Sequence, residues 1–154
     1  MSSNTYFFSL GETLGRNEDQ YGERPIQDVA EMFGLGSRTG VALPTEAPGI
    51  LIDPALKAQR HEDNPDVFVD GRWFVGDTVN LAIGQGDIGV TPLQLVNAYA
   101  TMGNGGRLMN PNIAIQITDH LSQEVLQAFG PREVRQLDLD PTARTALTEG
   151  LVGV

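Results

Sequence analysis

The sequence has no cysteine, a single lysine and only two histidines in 154 residues. Disulfides and thiolate metal sites are therefore excluded. The histidines, His61 and His120, lie far apart in the sequence, which disfavours a histidine-rich metal site and indicates two surface side chains. No apolar run approaches the roughly 18 residues that a membrane-spanning helix needs. We therefore expect neither a metal nor a cofactor.

Positive charge is also scarce, because ten Lys and Arg stand against twenty Asp and Glu, for a net charge of −10. So acidic a chain, without a basic cluster, is a poor partner for nucleic acid or for an anionic membrane. Its hydrophobic share of 40% is typical of a globular protein, and its length suffices for one domain with a real core. We expect a single domain over residues 1–154 that contacts neither nucleic acid nor membrane.

The best-specified stretch covers residues 80–106 and reads NLAIGQGDIGVTPLQLVNAYATMGNGG. A glycine-lined loop leads to Thr91 and Gln94, which have the spacing of a capping box and predict a helix over 92–102. An asparagine–glycine run ends that helix. We expect its apolar residues to form one buried face: Leu95, Val96, Tyr99 and Met102. Leu95 should then be costly to truncate, whereas Gln94 should contribute only as a cap.

The rest of the pattern predicts an α-dominated α+β fold. Helices are predicted near 4–14, 25–33, 54–60, 92–102 and 141–152. The first carries its apolar residues along one face: Tyr6, Phe7, Leu10 and Leu14. Residues 17–22 are predicted to be a loop, and Asp77 to cap a turn through residue 81. Short strands are predicted at 41–43, 113–117, 124–129 and 133–139, with a hairpin over 67–75 around an Asp-Gly turn.

The order IGQG, VTPLQL and NAYATMGNGG resembles the segment between the second and third active-site motifs of penicillin-binding proteins, in particular the elongation-type class B transpeptidases. The resemblance implies the helical part of the transpeptidase (serine β-lactamase-like) fold without most of its central sheet. It also implies a middle fragment, running from the second motif to just before the third. The parent protein would then cross-link peptidoglycan stem peptides through a serine acyl-enzyme, and β-lactams would acylate it. Such a domain lies at the extracytoplasmic face of the bacterial cytoplasmic membrane, tethered by an anchor.

The start of the chain, Ser2-Ser3-Asn4 followed by Thr-Tyr-Phe, is similar to the S-x-N motif of that family. In the family the serine hydroxyl belongs to the proton path between a lysine and the leaving nitrogen. The asparagine amide holds the substrate amide and orients the lysine. The resemblance therefore implies that Ser2 and Asn4 are catalytic. The alternative is a non-enzymatic binding or scaffold module in which this stretch is only a helix cap.

Two of the family's motifs are missing from these 154 residues. No serine has a lysine three positions on, so there is no Ser-x-x-Lys, and Lys57 lies in an Ala-Leu-Lys-Ala context. Residues 38–40 read Arg-Thr-Gly, but FGLGSRTGVALPTEAPG resembles the family's turn after the second motif rather than its Lys-Thr-Gly strand. The chain alone is therefore expected to be inactive. Its expected partners are stem peptides and β-lactams in the intact domain, and the rest of that domain.

Overall fold

The computed structural model describes residues 3–153. They divide into two compact units: the first comprises Met1–Met32 and Gly49–Val90, the second Phe33–Pro48 and Thr91–Val154. Helices predominate and the sheets are small, which confirms the predicted α-dominated α+β class. Each unit is described in turn.

The first unit contains five helices in the described part of the chain. They are α1 (Asn4–Arg16), α2 (Glu18–Tyr21), α3 (Pro25–Met32), α4 (Pro54–Asp63) and α5 (Val75–Ala82). The Asp-Pro start of α4 behaves as predicted, because the Asp53 carboxylate accepts from the backbone N–H of Leu56 at 2.7 Å. The predicted loop over 17–22 is wrong, since α2 occupies most of it.

Helices α1 and α5 pack together through two glycines of α1. A methyl group on Gly11 would lie 2.8 Å from the Cα of Val79, and one on Gly15 would lie 3.2 Å from the Cβ of Thr78. Only glycine allows so close an approach of two backbones. The apolar residues predicted for α1 lie elsewhere: Tyr6, Phe7 and Leu10 are exposed. The Gly-x-x-x-Gly spacing, rather than the apolar stripe, marks the contact face.

The predicted hairpin over 67–75 does not form. Within it, the Asp70 carboxylate accepts from the backbone N–H of Arg72 at 2.9 Å and also pairs with its guanidinium. Such local side-chain bonds compete with a strand ladder. The helix α5 already begins at the end of this segment, and Asp77 lies inside its first turn rather than before it. The Asp77 carboxylate accepts from the N–H of Phe74 at 2.8 Å.

The second unit contains α6 (Pro92–Gly103), four short strands and α7 (Pro141–Val152). The strands are β1 (Arg107–Asn110), β2 (Gln116–Thr118), β3 (Val125–Ala128) and β4 (Arg132–Gln136). They form two antiparallel pairs, β1 with β4 and β2 with β3. The strand predicted at 41–43 is instead a tight turn, in which the N–H of Leu43 donates to the carbonyl of Val41 at 2.7 Å. The predicted half-buried strand at 113–117 is reduced to the exposed β2.

The start and the cap of α6 are as predicted, and the helix ends one residue later than predicted, at Gly103. The Thr91 hydroxyl accepts from the N–H of Gln94 at 3.1 Å, and the Gln94 side chain accepts from the N–H of Thr91 at 2.9 Å. The predicted buried face is wrong. Leu95, Val96 and Tyr99 are exposed, and the buried residues are Gln94, Ala98 and Thr101.

This inversion has a polar cause. The Gln94 side-chain amide donates to the carbonyls of Ser37 at 2.6 Å and Pro48 at 2.7 Å, two points of the segment 33–48. One turn further on, the Asn97 amide donates to the carbonyl of Met109 in β1 at 2.9 Å. The packed side of α6 thus consists of small and hydrogen-bonding side chains that reach neighbouring backbone. Leu95 and Tyr99 are on the exposed side.

Candidate functional site

The predicted site begins at the first turn of α1. Asn4 is the first residue of this helix and its side chain is exposed. Ser3 occupies the N-cap position with extended backbone, φ −136° and ψ 103°, but its hydroxyl accepts no cap hydrogen bond. Ser2 lies outside the described residues. The assignment of Ser2 and Asn4 as site residues therefore stays a prediction, and Ser3 does not act as a cap.

The orientation of Asn4 depends on α5, because α1 rests on that helix through Gly11 and Gly15. At these two positions α1 has no side chain that could adjust, so the axis of α1 follows the surface of α5. Thr78, buried at 5% exposure, forms part of that surface. Its hydroxyl accepts from the indole N–H of Trp73 at 2.9 Å.

A charged pair supports the start of α5. The ammonium of Lys57, on α4, lies 2.7 Å from the Asp77 carboxylate, and both side chains are partly buried. The same ammonium is 5.8 Å from the ring centroid of Trp73 and 5.3 Å from that of Phe74, which are cation–π distances. Lys57 is the only lysine of the chain, and sequence reasoning assigned it no role.

The loop after α5 is built on glycines, as predicted. Gly84 and Gly86 have positive φ values of 71° and 85°, which other residues rarely adopt. The loop is closed by a bridge in which Ile50 and Gly89 exchange both backbone hydrogen bonds, at 2.6 and 2.8 Å. The IGQG motif therefore forms a glycine turn that leads out of α5, the helix on which α1 packs.

The Arg-Thr-Gly sequence at 38–40, in the second unit, is a turn built around a glutamate. The Glu46 carboxylate accepts from the N–H and the hydroxyl of Thr39, both at 2.6 Å, and from the N–H of Gly40 at 3.1 Å. Gly40 has a φ of +78°, and Asn110 occupies the space that a Cβ would need there. This agrees with the interpretation of 38–40 as structural.

The contacts of Glu46 predict a pH dependence for the stability of this turn. The Thr39 hydroxyl, together with the two backbone N–H groups, holds the pKa of the Glu46 carboxyl below its ordinary value. A lowered folded-state pKa means that the contribution to stability is complete above the ordinary value of about 4.3 and is lost as pH falls through the folded value.

We therefore expect Glu46→Gln to lower the melting temperature at pH 7 by roughly 1–4 °C. The gap between wild type and variant should close as the pH is lowered from 6 to 3, because the wild-type carboxylate becomes protonated. Melting curves across that range test this. Glu62→Gln, on the exposed end of α4, serves as a control. A gap that stayed constant with pH would contradict the ionised contact.

Two further properties concern the described part of the chain. Among residues 3–153 no helix is both long and apolar enough to cross a membrane. In the same residues no three His, Asp or Glu side chains are grouped so that they could hold a metal ion.

Comparison with known proteins decides the family. The model of the penicillin-binding protein transpeptidase domain matches residues 1–154. The chain belongs to this transpeptidase family. It is 33% identical over 113 residues to the peptidoglycan D,D-transpeptidase MrdA of Acinetobacter baumannii, covering 73% of the chain and 15% of MrdA. It is 29% identical over 143 residues to stage V sporulation protein D of Bacillus subtilis, covering 93% of the chain and 18% of that protein.

Solved transpeptidase structures agree. Penicillin-binding protein 2B of Streptococcus pneumoniae superposes with a TM-score of 0.70 at 22% identity, over 96% of this chain and 24% of that one. PBP2 of Helicobacter pylori, solved in complex with MreC, superposes with a TM-score of 0.66 at 27% identity. The superposition covers 97% of this chain and 23% of that one. The prediction of a class B transpeptidase is thereby confirmed. The chain spans less than a fifth of the curated relatives it matches and about a quarter of these structures.

Proposed function

We propose that the chain forms part of a peptidoglycan D,D-transpeptidase that cross-links stem peptides through a serine acyl-enzyme. The transpeptidase-family match over residues 1–154 carries this proposal, because the Ser2-Ser3-Asn4 stretch that resembles the family's S-x-N motif lies within the matched residues. The exposed position of Asn4 at the start of a helix is consistent with it, since a substrate could reach the side chain there.

The two proposed site residues have chemistry suited to an acyl transfer. The Ser2 hydroxyl can accept one proton while donating another, so it can pass a proton to the nitrogen that leaves the substrate carbonyl. The Asn4 carboxamide offers a donor and an acceptor in one plane, so it can bind a substrate amide and a lysine side chain together. The nucleophilic serine and its base are not found in these 154 residues, and in our proposal another part of the polypeptide supplies them.

The proposed partners and location follow from this assignment. Stem peptides are the substrates, and β-lactams acylate the nucleophilic serine that reacts with them. The remainder of the transpeptidase domain supplies that serine and completes the cleft. The proposed location is the extracytoplasmic face of the cytoplasmic membrane, where peptidoglycan is cross-linked, in a membrane-anchored parent protein. Nucleic acid is not a proposed partner, given the net charge of −10.

Labelling with a fluorescent penicillin tests the function. The longer polypeptide that contains this sequence and a Ser-x-x-Lys motif should form a stoichiometric, boil-stable adduct. The 154-residue chain alone should form none, because the acylated atom is missing. An unlabelled long polypeptide would favour the non-enzymatic binding module instead. A boil-stable adduct on the short chain would show a nucleophile within these residues and refute its predicted inactivity.

A further inference from the structure

We propose that Lys57 and Asp77 act as a positioning pair for the second active-site motif. The pair fixes the first turn of α5, α5 fixes the axis of α1, and α1 carries Asn4 at its first turn. This inference rests on the proposed function, because it assigns the pair to the same acyl-transfer site. All of its parts belong to the first unit of the chain.

The surroundings of Lys57 hold its ammonium at one point. Its side chain is only 19% exposed, so its charge is partly removed from water and depends on protein groups. The Asp77 carboxylate supplies the opposite charge at 2.7 Å, and the rings of Trp73 and Phe74 lie at cation–π distance. Moving Asp77 away would leave the partly buried charge of Lys57 without its ionic partner, which costs free energy.

Asp77 transmits this constraint to the backbone. The oxygen that pairs with Lys57, Oδ2, also accepts from the N–H of Phe74, at 2.8 Å. That N–H belongs to the residue preceding α5, where a helix has no partner of its own for its first N–H groups. One carboxylate oxygen therefore ties α4 to the beginning of α5.

A second link leads from the same cluster to the α1 contact. The indole of Trp73, whose ring lies beside Lys57, donates to the hydroxyl of Thr78 at 2.9 Å. The Thr78 side chain is the surface against which Gly15 of α1 is packed, at 3.2 Å from a notional methyl group. The cluster formed by Lys57, Trp73, Phe74 and Asp77 thus determines where the contact surface for α1 lies.

The helix α1 converts a small change at this contact into a larger one at the site. Asn4 lies seven residues before Gly11, a distance of about 10 Å along the helix axis. A tilt of about 10° at the glycine contact would move Asn4 by about 2 Å. A misplacement of about 1 Å in a catalytic arrangement can cost roughly 10²-fold in rate. Losing the pair should therefore reduce acylation even where the protein stays folded.

The test uses the full-length polypeptide and the rate of its acylation by a fluorescent penicillin, measured well below the melting temperature. Lys57→Met should lower the rate constant of acylation about 10-fold, with a smaller change in the initial binding of the penicillin. Lys57→Arg keeps the charge and should stay within about 3-fold of wild type. Arg16→Met is the matched control, since it breaks the exposed Glu12–Arg16 pair on α1 itself, and should stay within about 2-fold.

Hydrogen exchange provides a readout that does not depend on activity. In Lys57→Met, the amides of α1 between residues 8 and 15 should exchange about 10-fold faster, while those of α6 in the other unit should not change. If Lys57→Met fails to fold, Asp77→Asn replaces it, because the amide oxygen can still accept from Phe74 while the ionic partner is lost. The expected changes for Asp77→Asn have the same direction.

The outcomes separate the two proposals. A wild-type protein that is not acylated refutes the proposed function and the inference together. If the wild type is acylated and Lys57→Met or Asp77→Asn is acylated at the same rate, the inference alone is refuted. Slow acylation with unchanged α1 exchange also overturns it, since the effect would then not pass through α1. Slow acylation, fast α1 exchange and rescue by arginine support it.

Discussion

Gln94→Ala should lower the free energy of unfolding by about 3 kcal/mol or more, whereas Leu95→Ala should lower it by about 1 kcal/mol. Truncating Gln94, which is 1% exposed, removes three hydrogen bonds of its side chain, to the carbonyls of Ser37 and Pro48 and from the N–H of Thr91. Each such hydrogen bond contributes about 0.5–1.5 kcal/mol, and the space left by the buried side chain adds to the loss. Leu95 is 45% exposed and loses only part of the contacts of a core leucine.

Urea unfolding curves of the two variants measure this order. Val96→Ala, at a more exposed site of the same helix, is the control and should change the unfolding free energy by less than about 0.5 kcal/mol. The order is the reverse of the one predicted from sequence, so the experiment discriminates between the two faces. A larger loss for Leu95→Ala would mean that the apolar face of α6 carries the packing.

The features predicted correctly from sequence are those that neighbouring residues determine. The cap of α6 depends on Thr91 and Gln94, three positions apart, and the starts of α4 and α7 depend on Asp-Pro pairs with the same short range. Their side chains bond to the helix they begin, so no distant part of the chain is needed. The glycine loop and the glycine stop of α6 are equally local.

The failures occurred where distant residues decide. The buried face of α6 is set by carbonyls that lie 57 and 46 positions before Gln94, and no periodicity in the helix reveals them. The hairpin predicted over 67–75 is the exception, because the Asp70 carboxylate accepts from the N–H of Arg72, a local bond that competes with a strand ladder. For α1 the prediction was based on the apolar stripe. The contact with α5 is instead made by Gly11 and Gly15, whose Gly-x-x-x-Gly spacing marks close backbone contact in this structure.

The candidate site shows the same division. A three-residue motif led to the prediction of Ser2 and Asn4 through its resemblance to a family, and the family is now established. The residues that we propose to position α1 could not be found in this way. Lys57, Trp73 and Asp77 come into contact only in the folded chain. The one signal available was that Lys57 is a single lysine, since the other nine cationic side chains are arginines.

Ser2→Ala in the full-length polypeptide should lower the rate of acylation by a fluorescent penicillin about 10²–10⁴-fold, the usual range for a positioned proton transfer. Asn4→Ala should lower the use of stem-peptide substrates as well, because it removes the proposed amide contact. Acylation rates and melting temperatures are measured on the same preparations. Thr5→Ala, the next exposed residue of α1, is the matched control and should react like wild type.

Stability distinguishes a site residue from a helix cap in these variants. A lost cap would cost about 0.5–2 kcal/mol and leave acylation nearly unchanged. Asn4 is exposed and already inside α1, and the Ser3 hydroxyl accepts no cap hydrogen bond, so we expect Asn4→Ala to change stability by less than about 1 kcal/mol. A large loss of rate with little loss of stability therefore assigns these side chains to catalysis. If both variants react at nearly the wild-type rate and have lowered melting temperatures, residues 2–4 form only the start of a helix and have no catalytic role.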